Sequence, residues 1–218
     1  MDSYFIGIIV LLLSGIIGMH FSNKLKITIL SVLSFIGTIF CLYPAINVLI
    51  SGQSLIKTFD FNSIFGSTSF VMDSLSAFFI IIIAVMTFVS FIYAKEYLQP
   101  YIEKNKNINA HLIFLSLLLT SMLLVVTCQN ALMFLICWEI MSLSSFFLVI
   151  FENEKKEVLR AGIKYLIFMH ISVLFIIASF AILSINSGSL NFESFSNVLK
   201  NNEHLINLTF ILAFIGFG

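Results

Sequence analysis

The stretch ALMFLICWEIMSLSSFFLVIF, residues 131–151, contains one charged residue, Glu139, among 21 residues. About 20 consecutive apolar residues suffice for a helix to cross the hydrocarbon core of a bilayer. A helix on the surface of a soluble domain would need a broad polar face, which this stretch lacks. We therefore predict that residues 131–151 form a membrane-spanning helix with one acid inside it.

The rest of the chain repeats this apolar pattern. Of its 218 residues 60% are hydrophobic and 10% are charged, whereas about 25% are charged in a typical soluble domain. Backbone groups facing lipid must form their hydrogen bonds within their own segment, so each apolar run should be helical. We predict an all-α polytopic membrane helix bundle with six complete transmembrane helices and a truncated seventh. The seven segments are 4–21, 27–50, 74–93, 111–127, 131–151, 161–185 and 205–218.

The basic residues between these segments predict the orientation. Positive charges are enriched in cytoplasmic loops. The first, third and fifth loops carry Lys24, Lys26, Lys95, Lys104, Lys106, Lys155, Lys156 and Arg160, and the other three carry Lys57 and Lys200. The bias predicts that the odd loops face the cytoplasm and that the N-terminus lies outside.

Two regions are predicted: residues 1–72, with two helices and an external loop, and residues 73–218, with the remaining helices. The external loop includes TFDFNSIFGSTSF, residues 58–70, whose β-branched and aromatic content favours a small hairpin on the membrane surface. Asp73 follows it and precedes a helix, where an N-cap is expected. A functional acid is the alternative for Asp73.

Glu139 lies about 12 Å from one end of its segment and about 18 Å from the other, at 1.5 Å per residue. An ionisable group near the bilayer midplane is costly and marks a candidate functional site. Desolvation and nearby charge change the affinity of such a carboxylate for a proton. Glu139 is therefore a candidate proton carrier, and a neutral glutamic acid hydrogen-bonded between helices is the alternative.

Three neighbours complete the candidate site. Ser142 lies one helical turn after Glu139, on the same face. His170, about 14 Å into the sixth segment, reaches nearly the level of Glu139, and an imidazole can relay protons at neutral pH. Lys164, about 5 Å into that segment, either takes part in proton transfer or extends its amine to the membrane surface. Because six residues separate Lys164 from His170, the two side chains point in different directions.

Other classes of function find no support in the sequence. The formal net charge is zero, so no basic surface for nucleic acid is expected. Cys41, Cys128 and Cys137 form no CxxC pair and lie in or beside apolar runs, which is typical of buried apolar positions. No metal-ligand spacing, nucleotide loop or nucleophile triad is present, so no metal and no cofactor are predicted.

These residues resemble a known family. FVMDSLSAFFIIIIAVMTFVSFIYAKEYL, residues 70–98, is similar to the third helix of the antiporter-like subunits of the complex I superfamily. NALMFLICWEIMSLSSFFLVIFENEKKEVLRAGIKYLIFMH, residues 130–170, is similar to their fifth and sixth helices and has their Trp-Glu pair at Trp138 and Glu139. The run CWEIMSLSSFFLV, followed by a charged loop, AGIKYL and a histidine, most resembles the large membrane subunit of hydrogenase-4 and formate hydrogenlyase.

The resemblance implies a multi-pass subunit of a bacterial or archaeal cytoplasmic membrane. Such a subunit carries no redox cofactor and translocates protons, or sodium ions, within an oxidoreductase complex. Its partners would be the other membrane and peripheral subunits and the lipid bilayer. The family's glutamate corresponds to Glu139, and Lys164 matches a basic position on the sixth helix.

The sequence departs from the family pattern at its end. Members have about fourteen helices in two inverted repeats, and a lysine follows soon after the FIGFG-like run of the seventh helix. Since this sequence stops at Gly218, it is expected to be a fragment, or the product of a split or degenerate gene. Three hypotheses remain open: a proton-translocating subunit coupled to electron transfer, a sodium/proton antiporter module, and an inactive truncated membrane scaffold.

Overall fold

The computed structural model describes residues 1–18, 21, 23–60, 67–104, 106–199 and 202–218. Within them the chain forms eight α-helices, two β-strands and one 3-10 turn at Ile150–Glu152. The helices are α1 Asp2–Gly18, α2 Asn23–Ser51, α3 Ser74–Glu103, α4 Asn109–Val125, α5 Ala131–Val149, α6 Lys156–Ser187, α7 Phe192–Leu199 and α8 Glu203–Phe217. Each of the seven apolar segments thus coincides with a helix, and the prediction of a helical membrane protein is confirmed.

Four stretches of this structure have the length and composition to cross a membrane: Leu25–Ser51, Ser74–Glu103, Ala131–Glu152 and Lys156–Ser187. Three shorter apolar helices also occur among the described residues, at Asp2–Ile17, Asn109–Val125 and Glu203–Phe217. Large apolar side chains are exposed along these helices, including Leu75 at 66%, Phe168 at 69% and Phe210 at 66%. Apolar exposure on this scale fits a surface that faces lipid or other protein.

The predicted hairpin is present as a two-stranded sheet of β1, Leu55–Asp60, and β2, Ser67–Met72. Residues 61–66, where the chain would turn, lie outside the described residues, as does Lys200 of the orientation argument. Asp73 caps the helix that follows, because its carboxylate accepts a hydrogen bond of 2.7 Å from the Ser76 backbone N–H. The capping role predicted for Asp73 is therefore confirmed.

The chain divides into two compact units, the first formed by Met1–Lys57 and Phe70–Thr127. In this unit α1 packs closely on α2, because Gly7 and Gly37 lack side chains where the two helices meet. A Cβ atom added at Gly7 would lie 2.6 Å from the Gly37 carbonyl oxygen. The hydroxyl of Tyr4, which is fully buried, donates a 2.6 Å hydrogen bond to the carbonyl of Leu123 and so ties α1 to α4.

The second unit consists of Thr58–Ser69 and Cys128–Gly218 and contains α5, α6, α7 and α8. Its core joins Ala131, Leu183, Phe195 and Leu205, one residue from each of the four helices. Helices α6 and α8 approach closely at Gly216, where an added Cβ would lie 3.0 Å from both the Ile176 backbone nitrogen and the Ser172 carbonyl oxygen. In the unit that carries Glu139, α6 thus contacts both α5 and α8.

Helix α7 was not among the predicted segments. Its eight residues are too few to cross a bilayer, and Phe195 is buried against the partly buried Phe192 and Phe180. Helix α3 also extends ten residues beyond its predicted end at Tyr93. The extension contains Lys95, Glu96 and Glu103, so a search for apolar runs ends before it, although the backbone continues as a helix.

Candidate functional site

Asn130 defines the start of the helix that carries Glu139. Its side-chain oxygen accepts hydrogen bonds from the backbone N–H groups of Leu132, at 3.1 Å, and Met133, at 3.2 Å. Its side-chain nitrogen donates a 3.1 Å hydrogen bond to the side-chain oxygen of Asn191, just before α7. Because Asn130 is 2% exposed, it both caps α5 and fixes the position of that cap within the unit.

Glu139 lies eight residues after the first residue of α5, near the middle of the helix. Its side chain is 32% exposed on the surface of the second unit. The sequence predicts the depth of Glu139 in the bilayer. Depth alone does not bury a side chain within its own chain, because a neighbouring helix must also cover it. The described chain covers two thirds of this side chain.

His170 of α6 lies beside Glu139. Its Nε2 atom is 3.9 Å from Oε2 of the carboxylate, within the range of an ion pair and too long for a hydrogen bond. Its Nδ1 atom is 2.9 Å from the backbone carbonyl oxygen of Leu166, one helical turn earlier. The imidazole is half exposed and is held in place on one side by its own helix.

Lys164 does not join this pair. It is exposed, and no ion pair or hydrogen bond links its amine to any residue that the structure describes. The six-residue separation from His170 turns it to a different side of α6, as the helical period requires. Between these two basic residues, the structure therefore places His170 at the carboxylate.

Ser142 is buried, at 3% exposure, and its hydroxyl donates a 3.1 Å hydrogen bond to the backbone carbonyl of Glu139. Ser142 therefore bonds to Glu139, but its partner is the backbone carbonyl and not the carboxylate. A serine one turn after a carbonyl commonly forms this bond inside a helix. Asp73, the other candidate supporting residue, is the N-cap of α3 in the first unit.

Trp138 packs beside this region. Its ring stacks on Phe134, with ring centroids 5.6 Å apart, and meets the edge of Phe217 at 5.3 Å. Its buried Nε1–H has no hydrogen-bond partner among the described residues. The indole ring thus packs α5 against α8, and its N–H group is left without a hydrogen bond in the described chain.

The hydrogen bond between the side chains of Asn130 and Asn191 is the feature that the sequence analysis missed. The position of Asn130 does have a sequence signal, because an asparagine directly before a long apolar run is a common N-cap. Nothing local marks Asn191, 61 residues later, as its partner.

Among the described residues no group of three or more His, Cys, Asp or Glu side chains forms a metal-binding cluster.

Comparison with known proteins agrees with this architecture. Residues 128–218 match the family model described as NADH:quinone oxidoreductase/Mrp antiporter, TM. The chain is 32% identical over 196 residues to hydrogenase-4 component B of Escherichia coli K12, a match that covers 90% of this chain and 29% of that protein. The resemblance to antiporter-like membrane subunits is confirmed.

Two further matches give one relative by sequence and one by fold. The putative antiporter subunit mnhA2 of Staphylococcus saprophyticus is 26% identical over 152 residues, covering 67% of this chain and 18% of that protein. A chain in the structure of the membrane-bound sulfane sulfur reductase, an archaeal respiratory membrane complex, has the same fold. Its TM-score is 0.79 at 18% identity, over 98% of this chain and 43% of that one. The present chain therefore spans less than a third of each of these curated relatives.

Proposed function

We propose that this chain takes part in proton translocation coupled to electron transfer, as part of a membrane subunit in a hydrogenase-4 or NADH-quinone-oxidoreductase-like complex. Glu139 is the protonatable carrier and His170 its direct partner. The observation that carries this proposal is the pair itself, a carboxylate and an imidazole 3.9 Å apart in the middle of two apolar helices. Lys164 is a modulating residue in this proposal, and Ser142 and Asp73 support the backbone.

The proposed arrangement in the membrane has six complete transmembrane helices and a seventh formed by α8, with the N-terminus outside. In it residues 73–218 form the N-terminal part of the translocating domain, and residues 1–72 precede it. The location is the cytoplasmic membrane of a bacterium or archaeon, with other membrane and peripheral subunits as partners. Reporter domains inserted after Gly52 and after Asn107 test the orientation, which requires the first to be external and the second cytoplasmic.

Replacement of Glu139 by glutamine tests the carrier role. Glutamine is close to glutamate in size and can form hydrogen bonds, but its side chain cannot ionise. Proton pumping, or the redox turnover coupled to it, should therefore fall by more than about tenfold. The complex should still assemble, which native gel electrophoresis of the membranes would show. Glu157→Gln is the matched control, because Glu157 is exposed at the start of α6 and its substitution should leave pumping unchanged. Wild-type pumping in a well-assembled Glu139→Gln complex would refute the proposal.

A sodium/proton antiporter module is the second candidate, favoured by the similarity to the antiporter subunit mnhA2. It uses the same carboxylate, because a carboxylate can exchange a proton for a sodium ion. The two candidates differ in their response to sodium. For a subunit coupled to electron transfer, proton movement into inverted membrane vesicles should require an electron donor and should not depend on sodium. For an antiporter module, proton movement should follow an imposed sodium gradient.

A further inference from the structure

The two ring nitrogens of His170 have different neighbours. Nδ1 is 2.9 Å from the carbonyl oxygen of Leu166, whereas Nε2 is the ring nitrogen 3.9 Å from Oε2 of Glu139. A carbonyl oxygen carries no proton and can only accept a hydrogen bond. The Nδ1 atom must therefore carry the hydrogen of this contact, in the neutral and in the charged imidazole alike.

This contact determines the form of the neutral ring. A neutral imidazole has one N–H and one lone pair, so with Nδ1 protonated the lone pair of Nε2 faces the Glu139 carboxyl group. Without a shared proton, this lone pair and a carboxylate would face each other as two acceptors. One proton removes the conflict, either as a carboxylic acid donating to Nε2 or as a carboxylate beside a protonated Nε2.

The state with one proton is the electrically neutral state of the pair. Both one-proton forms have no net charge, whereas the pair without a proton carries one negative charge and the pair with two carries one positive charge. A net charge is costly among apolar side chains at membrane depth. The ring lies in an open groove of α6 lined by the apolar residues Leu166, Ile167, Ile171 and Leu174.

The elements around the pair carry other charged groups, and none of these forms an ion pair with Glu139 or His170 in the described part of the chain. The elements packed on α6 are α5, α7, α8 and the 3-10 turn Ile150–Glu152, which carries Glu152, and α6 itself carries Lys164 six residues before His170. Helix α5 has no Asp, Glu, Lys, Arg or His other than Glu139, α7 carries Glu193, and α8 carries Glu203 and His204 in its first turn. Within the described part of the chain, His170 is the residue that forms an ion-pair contact with Glu139.

We propose that Glu139 and His170 hold one exchangeable proton as a unit, with Nε2 as the ring atom that exchanges it. The proton moves from the carboxyl oxygen to the Nε2 lone pair, which leaves a carboxylate and an imidazolium, and the reverse step restores both neutral groups. At 3.9 Å the atoms are about 1 Å beyond hydrogen-bond distance. Transfer therefore requires the two side chains to approach, and this movement controls when the site exchanges its proton. The inference deepens the proposed function and rests on it for its role in transport.

Solid-state NMR of histidine labelled with ¹⁵N and ¹³C, in the protein in its native membrane complex, tests this directly. The chain has four histidines, so the His170→Gln variant identifies the His170 signals by subtraction. We expect the neutral ring to be protonated at Nδ1 and not at Nε2. A neutral ring protonated at Nε2 would overturn the proposal, whatever the pumping activity of Glu139→Gln.

Infrared difference spectroscopy tests the sharing. The C=O stretch of the protonated carboxyl group, assigned by its loss in Glu139→Gln, should change with pH at the same midpoint as the Nε2 signal of His170, as coupled groups do. His170→Gln should shift that midpoint, and His204→Gln, at an exposed position, should not. Unrelated midpoints, or a carboxyl signal indifferent to His170→Gln, would refute a shared proton, even if Glu139→Gln still abolished pumping and so upheld the proposed function.

Discussion

Replacing Asn130 should lower the stability of the second unit through two separable losses, because its side chain makes two kinds of hydrogen bond. The oxygen caps α5 through the N–H groups of Leu132 and Met133, and the nitrogen donates to Asn191. Asn130→Ala removes both, whereas Asn130→Ser keeps a capping hydroxyl and is too short to reach Asn191. Asn202→Ala is the matched control, since Asn202 caps α8 through a single hydrogen bond to the Leu205 N–H at an exposed position.

The magnitudes follow from these contacts. Loss of an N-cap side chain costs about 1 kcal/mol of unfolding free energy. Loss of a buried hydrogen bond to a neighbouring side chain costs about 1 kcal/mol more, since Asn191 is left without its partner. Asn130→Ala should therefore destabilise the protein by about 2 kcal/mol, and Asn130→Ser and Asn202→Ala by about 1 kcal/mol each.

The measurement is reversible unfolding of the purified protein in mixed micelles of mild detergent and dodecyl sulfate, followed by circular dichroism. The order of stabilities is the informative result, because errors of extrapolation affect all variants alike. If Asn130→Ala were no less stable than Asn130→Ser, the contact with Asn191 would contribute nothing. Asn191 would then play no part in positioning α5.

Two other perturbations follow from the packing. Burial raises the pKa of the Cys128 thiol to about 11, so fewer than about one thiol in a thousand is ionised at pH 7.5. N-ethylmaleimide should modify Cys128 slowly in the folded protein, faster as the pH rises and rapidly after unfolding, and mass spectrometry would detect fast modification of the native thiol if this is wrong. Gly7→Val should destabilise the first unit by about 1–3 kcal/mol, because a Cβ there would lie 2.6 Å from the Gly37 carbonyl oxygen and from the Cys41 sulfur. An unfolding free energy equal to that of the wild type would show that α1 and α2 can separate freely.

The helices could be predicted because lipid restricts the backbone so strongly. A long apolar run that cannot bond to water must be helical, and each predicted segment contains a helix in the described part of the chain. Helix α7 was missed because its signal is of another kind: Phe192, Phe195, Val198 and Leu199 recur at helical spacing among polar residues. A search for uninterrupted apolar runs passes over such a short amphipathic helix.

The site could be predicted only as far as distance along a helix determines it. Counting residues placed Glu139 and His170 at similar depths, and the helical period separated Lys164 from His170. Counting residues could not predict which group of Glu139 accepts the hydrogen bond of Ser142, because the carbonyl and the carboxylate both lie within one turn of it. Rotamers and the packing of α5 against α6 decide between them, and neither is local information.

The contacts that bring Glu139 and His170 together lie on both sides of the pair. On one side the Phe134 and Phe180 rings meet at 5.7 Å, edge to face. On the other, Gly162 fits against Ile150, where an added Cβ would lie 2.2 Å from an Ile150 methyl carbon. Glu139 falls between Phe134 and Ile150 along the chain, and His170 falls between Gly162 and Phe180, so the pair lies between the two contacts. A slip of α6 by one turn would move the imidazole by about 5.4 Å, so these apolar contacts determine whether the carboxylate has a partner.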